Sequence, residues 1–345
     1  MQHPTQRAHP PSAEGHAPVR ASRPGRRAVL AAGAVGLARP AFGQAVAAYP
    51  DRPVRVVIPF APGGANDILG RLFCAKLAER LGQPFVPENR TGAQGIVGTE
   101  LVAKSRPDGH TLLVGASGPM VFNPVTYENL PYDTLRDLAP VAMLGSYPLI
   151  LMVGADSPHR TLRGLVDWAR ANPERGTYGA TNAAFQLTTE LFNQRAGTRF
   201  TYVGYRGNAE VTTAVTNGEL TMALLDSGPA ASALASGRGR GLAVLTPGRL
   251  SAYPEVPTMA EAGMPDLEVS LWCGLAAPAG TALSILSRLQ EGVAEASRDP
   301  LIRQRMAALS IEPEGGTSEQ FAQRIAAETA LWRDVARRGN LRFER

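Results

Sequence analysis

Residues 54–69 read Val54-Arg55-Val56-Val57-Ile58-Pro59-Phe60-Ala61-Pro62-Gly63-Gly64-Ala65-Asn66-Asp67-Ile68-Leu69. The opening run is short, apolar and β-branched, which predicts a parallel strand buried on both faces. Pro-Gly-Gly interrupts it. From Asp67 the apolar residues Ile68, Leu69, Leu72, Phe73 and Leu77 recur at helical spacing. Gly63 and Gly64 permit a sharp turn and a close approach of ligand to backbone. Strand, glycine turn and helix start together aim unpaired backbone N–H groups at one point, which suits an anion such as a carboxylate. No Lys-Ser or Lys-Thr follows the glycines, so this is not a Walker-type phosphate loop.

The same rhythm repeats. Residues 83–90 predict a strand, and residues 91–98 a second glycine-rich loop opening a helix that runs to about Lys104. After the turn Pro107-Asp108-Gly109, residues 111–115 predict a strand ending in Ala116-Ser117-Gly118-Pro119. Strand, glycine loop and helix in alternation imply right-handed βαβ units and a parallel sheet, with ligands bound beyond the carboxyl ends of the strands. Residues 148–153 read as the strand that crosses into a second domain. That domain is expected to hold a helix over 162–172, a strand at 177–180 and a helix opened by Thr181-Asn182-Ala183-Ala184. Further on come a strand and turn over 201–207, a helix ending at Gly218, and strands at 221–226 and 241–245. Residues 269–272 return to the first domain. Residues 284–309 and 318–338 predict charged amphipathic helices on the outside. The expected organisation is a leader over 1–47, one domain of 48–147 with 272–345, and a second of 148–271.

Length and charge narrow the class. At 345 residues and 44% apolar content the chain can build two cores. Its formal charge of +5 invites a nucleic-acid reading, which the distribution refutes. Residues 1–47 carry Arg7, Arg20, Arg23, Arg26, Arg27 and Arg39 against Glu14 alone, so the remainder is formally neutral. Arg26-Arg27 before an apolar stretch of small residues, with Ala45-Val46-Ala47 or Ala41-Phe42-Gly43 as cleavage candidates, reads as an export signal with a twin-arginine core. The stretch is too short to span a bilayer. The expected location is the periplasm, reached by the twin-arginine route or, since the n-region is long and no Phe follows the Arg pair, by the Sec route. That compartment would permit a disulfide between Cys74 and Cys273, but both sit in apolar surroundings and read as core residues. Neither lies at metal-ligand spacing, and neither a metal nor a cofactor is expected.

These pieces, in order, resemble the periplasmic solute-binding proteins of tripartite tricarboxylate transporters, the Bug or TctC-type family. The matching text includes Tyr49-Pro50-Asp51-Arg52-Pro53, Pro59-Phe60-Ala61-Pro62-Gly63-Gly64-Ala65-Asn66-Asp67, Glu88-Asn89-Arg90-Thr91-Gly92-Ala93 and Pro107-Asp108-Gly109-His110-Thr111-Leu112-Leu113. It continues through Leu130-Pro131-Tyr132-Asp133, Tyr205-Arg206-Gly207, Pro254-Glu255-Val256-Pro257-Thr258, Trp272 and Ala276-Ala277-Pro278-Ala279-Gly280-Thr281. The resemblance implies a periplasmic-binding-protein-like fold of type II: two doubly wound α/β domains, a two-strand hinge and a cleft between them. It also implies a small carboxylate solute, integral-membrane transporter subunits as partners, and a monomer. In the family the first glycine loop grips a carboxylate with backbone N–H groups and ordered water. The chain departs from the family at Ala180-Thr181-Asn182-Ala183-Ala184-Phe185-Gln186, where Gly-x-Gly-Ser followed by a His is usual. The solute, whether a di- or tricarboxylate, an acidic amino acid or an aromatic carboxylate, is not named by the sequence.

The expected contacts from the first domain are Phe60, Gly63, Gly64, Ala65, Asn66, Asp67 and Ser117. From the second they are Thr181, Asn182, Ala183, Tyr205 and Asp226. Several have a plainer reading. Asp67 suits a helix start, Asn66 could only support its turn, Ser117 could only stabilise its loop, and Tyr205 could pack between domains. Trp272 could line the cleft wall but reads first as a core aromatic near the hinge, and Arg71 reads as half of a surface ion pair before a ligand clamp. A rival function is a secreted α/β hydrolase with Ser117 as nucleophile. After the leader only His110 and His159 are available as a base, and Ser117 lacks the G-x-S-x-G elbow.

Overall fold

The computed structural model describes residues 49–173 and 175–341, which fall in one compact unit. β1 (Val54–Ile58) is buried at Val54, Val56, Val57 and Ile58, as its apolar residues require, while Arg55 is half-buried and pairs with Glu88. β2 (Phe85–Asn89) and β3 (Thr111–Ala116) flank it, both parallel. The crossovers are α1 (Ala65–Leu81) and α2 (Ile96–Ala103). Beyond β3 the chain enters a π-helical turn at Gly118–Phe122, then α3 (Asn123–Thr126) and α4 (Thr134–Asp137).

The next strand differs from expectation. Instead of starting at Pro148, β4 runs from Leu138 to Gly154, 17 residues. Pro140, Gly145 and Pro148 look like breaks in sequence, but register shifts at Pro140/Ala142 and Met143/Gly145 absorb the first two within the antiparallel ladder to β9 (Ser270–Pro278), and Pro148 is its last pair, with Ser270. β4 serves two sheets. Up to Pro148 it pairs with β9, and from Leu149 onward with β7 (Met222–Asp226) and, from Ile150, with β8 (Gly239–Val244). The strand order is β2-β1-β3-β9-β4-β7-β5-β6, with β5 at Thr177–Ala180 and β6 at Thr201–Gly204. β8 and β10 (Glu312–Pro313) add to β4. The sheets are therefore parallel only at their outer βαβ units. β3–β9, β9–β4 and β4–β7 are antiparallel, because β4 and β9 join the two halves instead of crossing over within one.

The second half contributes α5 (Leu162–Ala171), α6 (Ala183–Ala196), α7 (Asn208–Thr216) and α8 (Ser227–Ala235). The single helix expected over 284–309 is two, α9 (Leu283–Ala296) and α10 (Pro300–Ala308). The first stops at Ala296 with Ser297 as its cap, and Asp299 caps the second, its Oδ1 accepting from the N–H groups of Leu301 and Ile302 at 2.8 and 3.2 Å, with Pro300 in the first turn. α11 (Ser318–Arg338) is the expected helix, opened by a capping box of Thr317 and Gln320. Cys74 and Cys273 are free and buried. Burial pushes each thiol up to about 12, so both stay protonated core groups. Among the described residues no helix is long and apolar enough to cross a membrane. The proposed export signal and its cleavage candidates lie outside the described residues.

Candidate functional site

β1 ends at Ile58 and the chain turns at Pro62-Gly63-Gly64 into α1. Gly63 carries a φ of +84°, a conformation costly for any side chain, while Gly64 is extended and would leave a Cβ 3.7 Å from the nearest atom, the Ala61 carbonyl oxygen. The turn is knitted by Asp67. Its carboxylate accepts from the Gly63 N–H at 2.9 Å, Asn89 Nδ2 at 2.8 Å and Arg71 Nε at 3.0 Å. Burial alone would raise this carboxyl, but those three bonds hold it below the ordinary Asp value. The first helical bond runs from the Ile68 N–H to the Gly64 carbonyl at 3.0 Å, leaving the N–H groups of Ala65, Asn66 and Asp67 outside the helix's own ladder. Asn66 is oriented by Tyr147 of β4, whose hydroxyl donates to Asn66 Oδ1 at 2.8 Å and leaves the amide Nδ2 free to donate elsewhere.

Ala65 and Asn66 open onto a cavity of about 500 Å³ between the two sheets. Four helix-cap residues also line it: Ser117 before the π-helical turn, Asn182 before α6, Gly207 before α7 and Asp226 before α8. The starts of five helices thus reach one cavity, each bringing the positive end of its backbone dipole. Asn182 Oδ1 accepts from the Ala184 N–H at 2.9 Å. Thr181 Oγ1 donates to Asn208 Oδ1 at 3.0 Å, and Asn208 Nδ2 donates to Asp226 Oδ1, also at 3.0 Å. Burial pushes the Asp226 carboxyl above its ordinary range, and the Asn208 bond offsets this only in part. Among the described lining residues Arg206 is the one cation, and it is exposed. Aromatic walls come from Phe60, Phe122, Phe185 and Trp272. The arrangement suits a small anion with polar groups, held mostly by helix starts and amides.

A family model described as the tripartite tricarboxylate transporter family receptor, TctC, matches residues 69–341. The chain belongs to this family. It is 34% identical to protein BugT of Bordetella pertussis over 292 residues, covering 84% of this chain and 90% of BugT. Among solved structures it is similar to Rhodopseudomonas palustris MatC with bound malate. That match has 30% identity and a TM-score of 0.70, and covers 83% of this chain and 99% of MatC. It is likewise similar to R. palustris Rpa4515 with adipate, at 32% identity and a TM-score of 0.74, covering 86% of this chain and all of Rpa4515. The fold is that of the periplasmic binding proteins, and the chain is a binding receptor of the TctC/Bug type, not an enzyme. The hydrolase reading falls with this. Ser117 is buried and its Oγ accepts from the Trp272 backbone N–H at 3.4 Å, while His110 sits by Asp108 and Tyr49, and His159 packs on Trp168.

Of the residues expected at the TctC-type site, Phe60, Ala65, Asn66, Ser117, Thr181, Asn182, Ala183 and Asp226 line the cavity. Gly63, Gly64, Asp67 and Tyr205 do not. The glycines shape the turn behind it, Asp67 faces that turn, and Tyr205 packs beside Gly179 among the apolar residues under α7. Arg71 forms the expected ion pair, with Asp67. Trp272 lines the cavity while fully buried, so it is both wall and core. Sequence reasoning missed Gln94, Asn123, Tyr147, Arg206 and Asn208. The signals existed in part. Gln94 lies in the second glycine loop, where Ala93 and Gln94 both adopt positive φ, 44° and 53°. Arg206 and Asn208 flank a glycine at a strand-to-helix turn. Tyr147 had no local signal, since only the course of β4 brings it to Asn66.

Proposed function

We propose that the chain captures a small carboxylate solute in this cavity and hands it to the membrane subunits of a tripartite tricarboxylate-type transporter. Dicarboxylates of the size of malate and adipate are the first solutes to test, followed by acidic amino acids and aromatic carboxylates. The observation that carries the reading is the meeting of five helix starts at one cavity, which stabilises negative charge without a buried arginine. On this reading Ala65, Asn66 and Ser117 receive a carboxylate, and Thr181, Asn182, Ala183 and Asp226 select the rest of the solute. Residues 48–147 with 272–345 close against residues 148–271 about the crossings next to Pro148 and Ser270. The protein acts as a periplasmic monomer after export by the twin-arginine or the Sec route and removal of its leader.

Thermal denaturation against a carboxylate panel, followed by calorimetry, tests the reading. A bound solute at a hundred times its Kd stabilises by about 2.7 kcal/mol, which for a chain of this size raises Tm by roughly 4 °C. No carboxylate raising Tm, with a neutral or cationic solute doing so instead, would defeat it. Intact-mass measurement of periplasmic protein tests the processing.

A further inference from the structure

The cavity wall formed by Trp272 is held from behind by α11. The Trp272 indole N–H donates to Glu328 Oε2 at 2.8 Å, and the ring meets Phe321 edge-on at 5.1 Å. Glu328 Oε1 accepts from Arg324 Nε at 2.7 Å, and Arg324 Nη2 donates to Ser270 Oγ at 3.0 Å, two residues before Trp272 on β9. At its other end Trp272 is tied by its backbone N–H to Ser117. Phe122, the neighbouring wall residue, rests on Trp332 of the same helix at 5.1 Å.

The Trp272 ring itself is fully buried. A second cavity of about 570 Å³ lies beyond its acceptor, lined by Phe122, Ser270, Arg324, Glu328 and Trp332 among others. Close packing fixes a side chain in most interiors. Here a directional bond to a half-buried carboxylate adds to the packing. A carboxylate withdrawn from water is a costly way to fill space, since an apolar residue of similar volume is often as stable or more so. We propose that Glu328 is a positioning residue for solute capture, holding the Trp272 indole in the orientation that shapes the solute cavity and, through Arg324, tying it to Ser270. The proposal rests on the reading of the cavity given above. Burial raises the Glu328 carboxyl, against the opposing pull of Arg324 and the Trp272 N–H. Glu314, from the segment before α11, adds to the rise. A raised folded pKa in a carboxyl means that ionisation opposes folding, so Glu328 costs stability as pH rises through its titration.

The test compares the unmodified chain with Glu328→Gln and Glu328→Leu, using malate and adipate as calorimetric probes and ¹⁵N-labelled tryptophan as a reporter free of solute. Glutamine keeps an acceptor for the indole. Its affinity for the better probe should stay within about threefold while its Tm at neutral pH is equal or higher. Leucine removes the acceptor and should weaken binding at least about tenfold, change the malate-to-adipate ratio, and shift the Trp272 indole N–H resonance, assigned with Trp272→Phe. Unchanged affinity in Glu328→Leu overturns the proposal. So does an equal loss of affinity in both variants that tracks a fall in Tm. If the unmodified chain binds neither probe, its reading as a receptor for such dicarboxylates is what fails. The indole resonance then decides alone: its shift in Glu328→Leu sustains the positioning contact, and its constancy overturns it.

Discussion

Replacing Asp67 with alanine should loosen the turn that presents α1 to the cavity. The carboxylate is 3% exposed and joins three segments: the Gly63 turn, Asn89 at the end of β2, and Arg71 one turn along α1. Asn89 Nδ2 also donates to the Phe60 carbonyl at 2.9 Å, so the end of β1 is tied in as well. A hydrogen bond to a charged group contributes about 1.5–3 kcal/mol. The Arg71 side chain is 47% exposed, which limits its share to roughly 0–1 kcal/mol. The three bonds share one acceptor and are not additive, so the expected loss is about 2–4 kcal/mol. Urea denaturation should show it as a lower midpoint at unchanged slope. Solute affinity should fall about tenfold, or 1.4 kcal/mol, because the first-turn N–H groups lose their fixed direction. The folded pKa of Asp67 is depressed, so its contribution is fully present above the unfolded value of about 3.9 and lost as pH falls through the folded one. The stability difference between parent and variant should therefore be flat from neutral pH to about pH 4 and shrink below it. A folded Asp67→Ala variant within about 0.5 kcal/mol of the parent, with unchanged affinity, would refute this account.

Other substitutions separate the contributions to binding. Arg206→Ala should weaken carboxylate binding only severalfold, with the loss fading as salt rises in calorimetry from 0.05 to about 0.5 M, because the side chain is exposed. Asn182→Ala removes the cap on α6 at a cost of about 1 kcal/mol and should reorder the ranking among carboxylates in a thermal-shift panel more than it lowers all of them. Tyr147→Phe leaves Asn66 without its donor and should lower solute affinity with little change in Tm, since the ring stays buried. Asp226→Asn should flatten the rise in anion affinity that falling pH brings to the parent. Burial raises this carboxyl, so an anion beside it binds better as pH falls and Asp226 takes up a proton. Parallel pH profiles for parent and variant would place the solute away from Asp226.

Local patterns determined the elements that make up the site. β1, the glycine turn and α1 were legible because a buried strand, a positive-φ glycine and a 3.6-residue repeat each leave a mark within a few residues. The same holds for β5 with α6, whose cap Asn182 stands where a helix start needs an acceptor. The order of motifs then indicated the family. Tertiary structure decided which of these residues face the cavity. Asp67 and Tyr205 sit at the right places in sequence, but Asp67 satisfies its own turn and Tyr205 packs under α7. Tyr147 and Trp272 reach the site because β4 passes from one sheet to the other and β9 runs back beside it, with Tyr147 paired to Leu271 and Ser146 to Trp272, 124 and 126 residues apart. The bond from Trp272 to Glu328 spans 56 residues. Sequence periodicity reports what a residue does to its neighbours in the chain. A pairing over such separations leaves no local mark, because it is set by the summed burial of two sheets and their helices, not by any one segment.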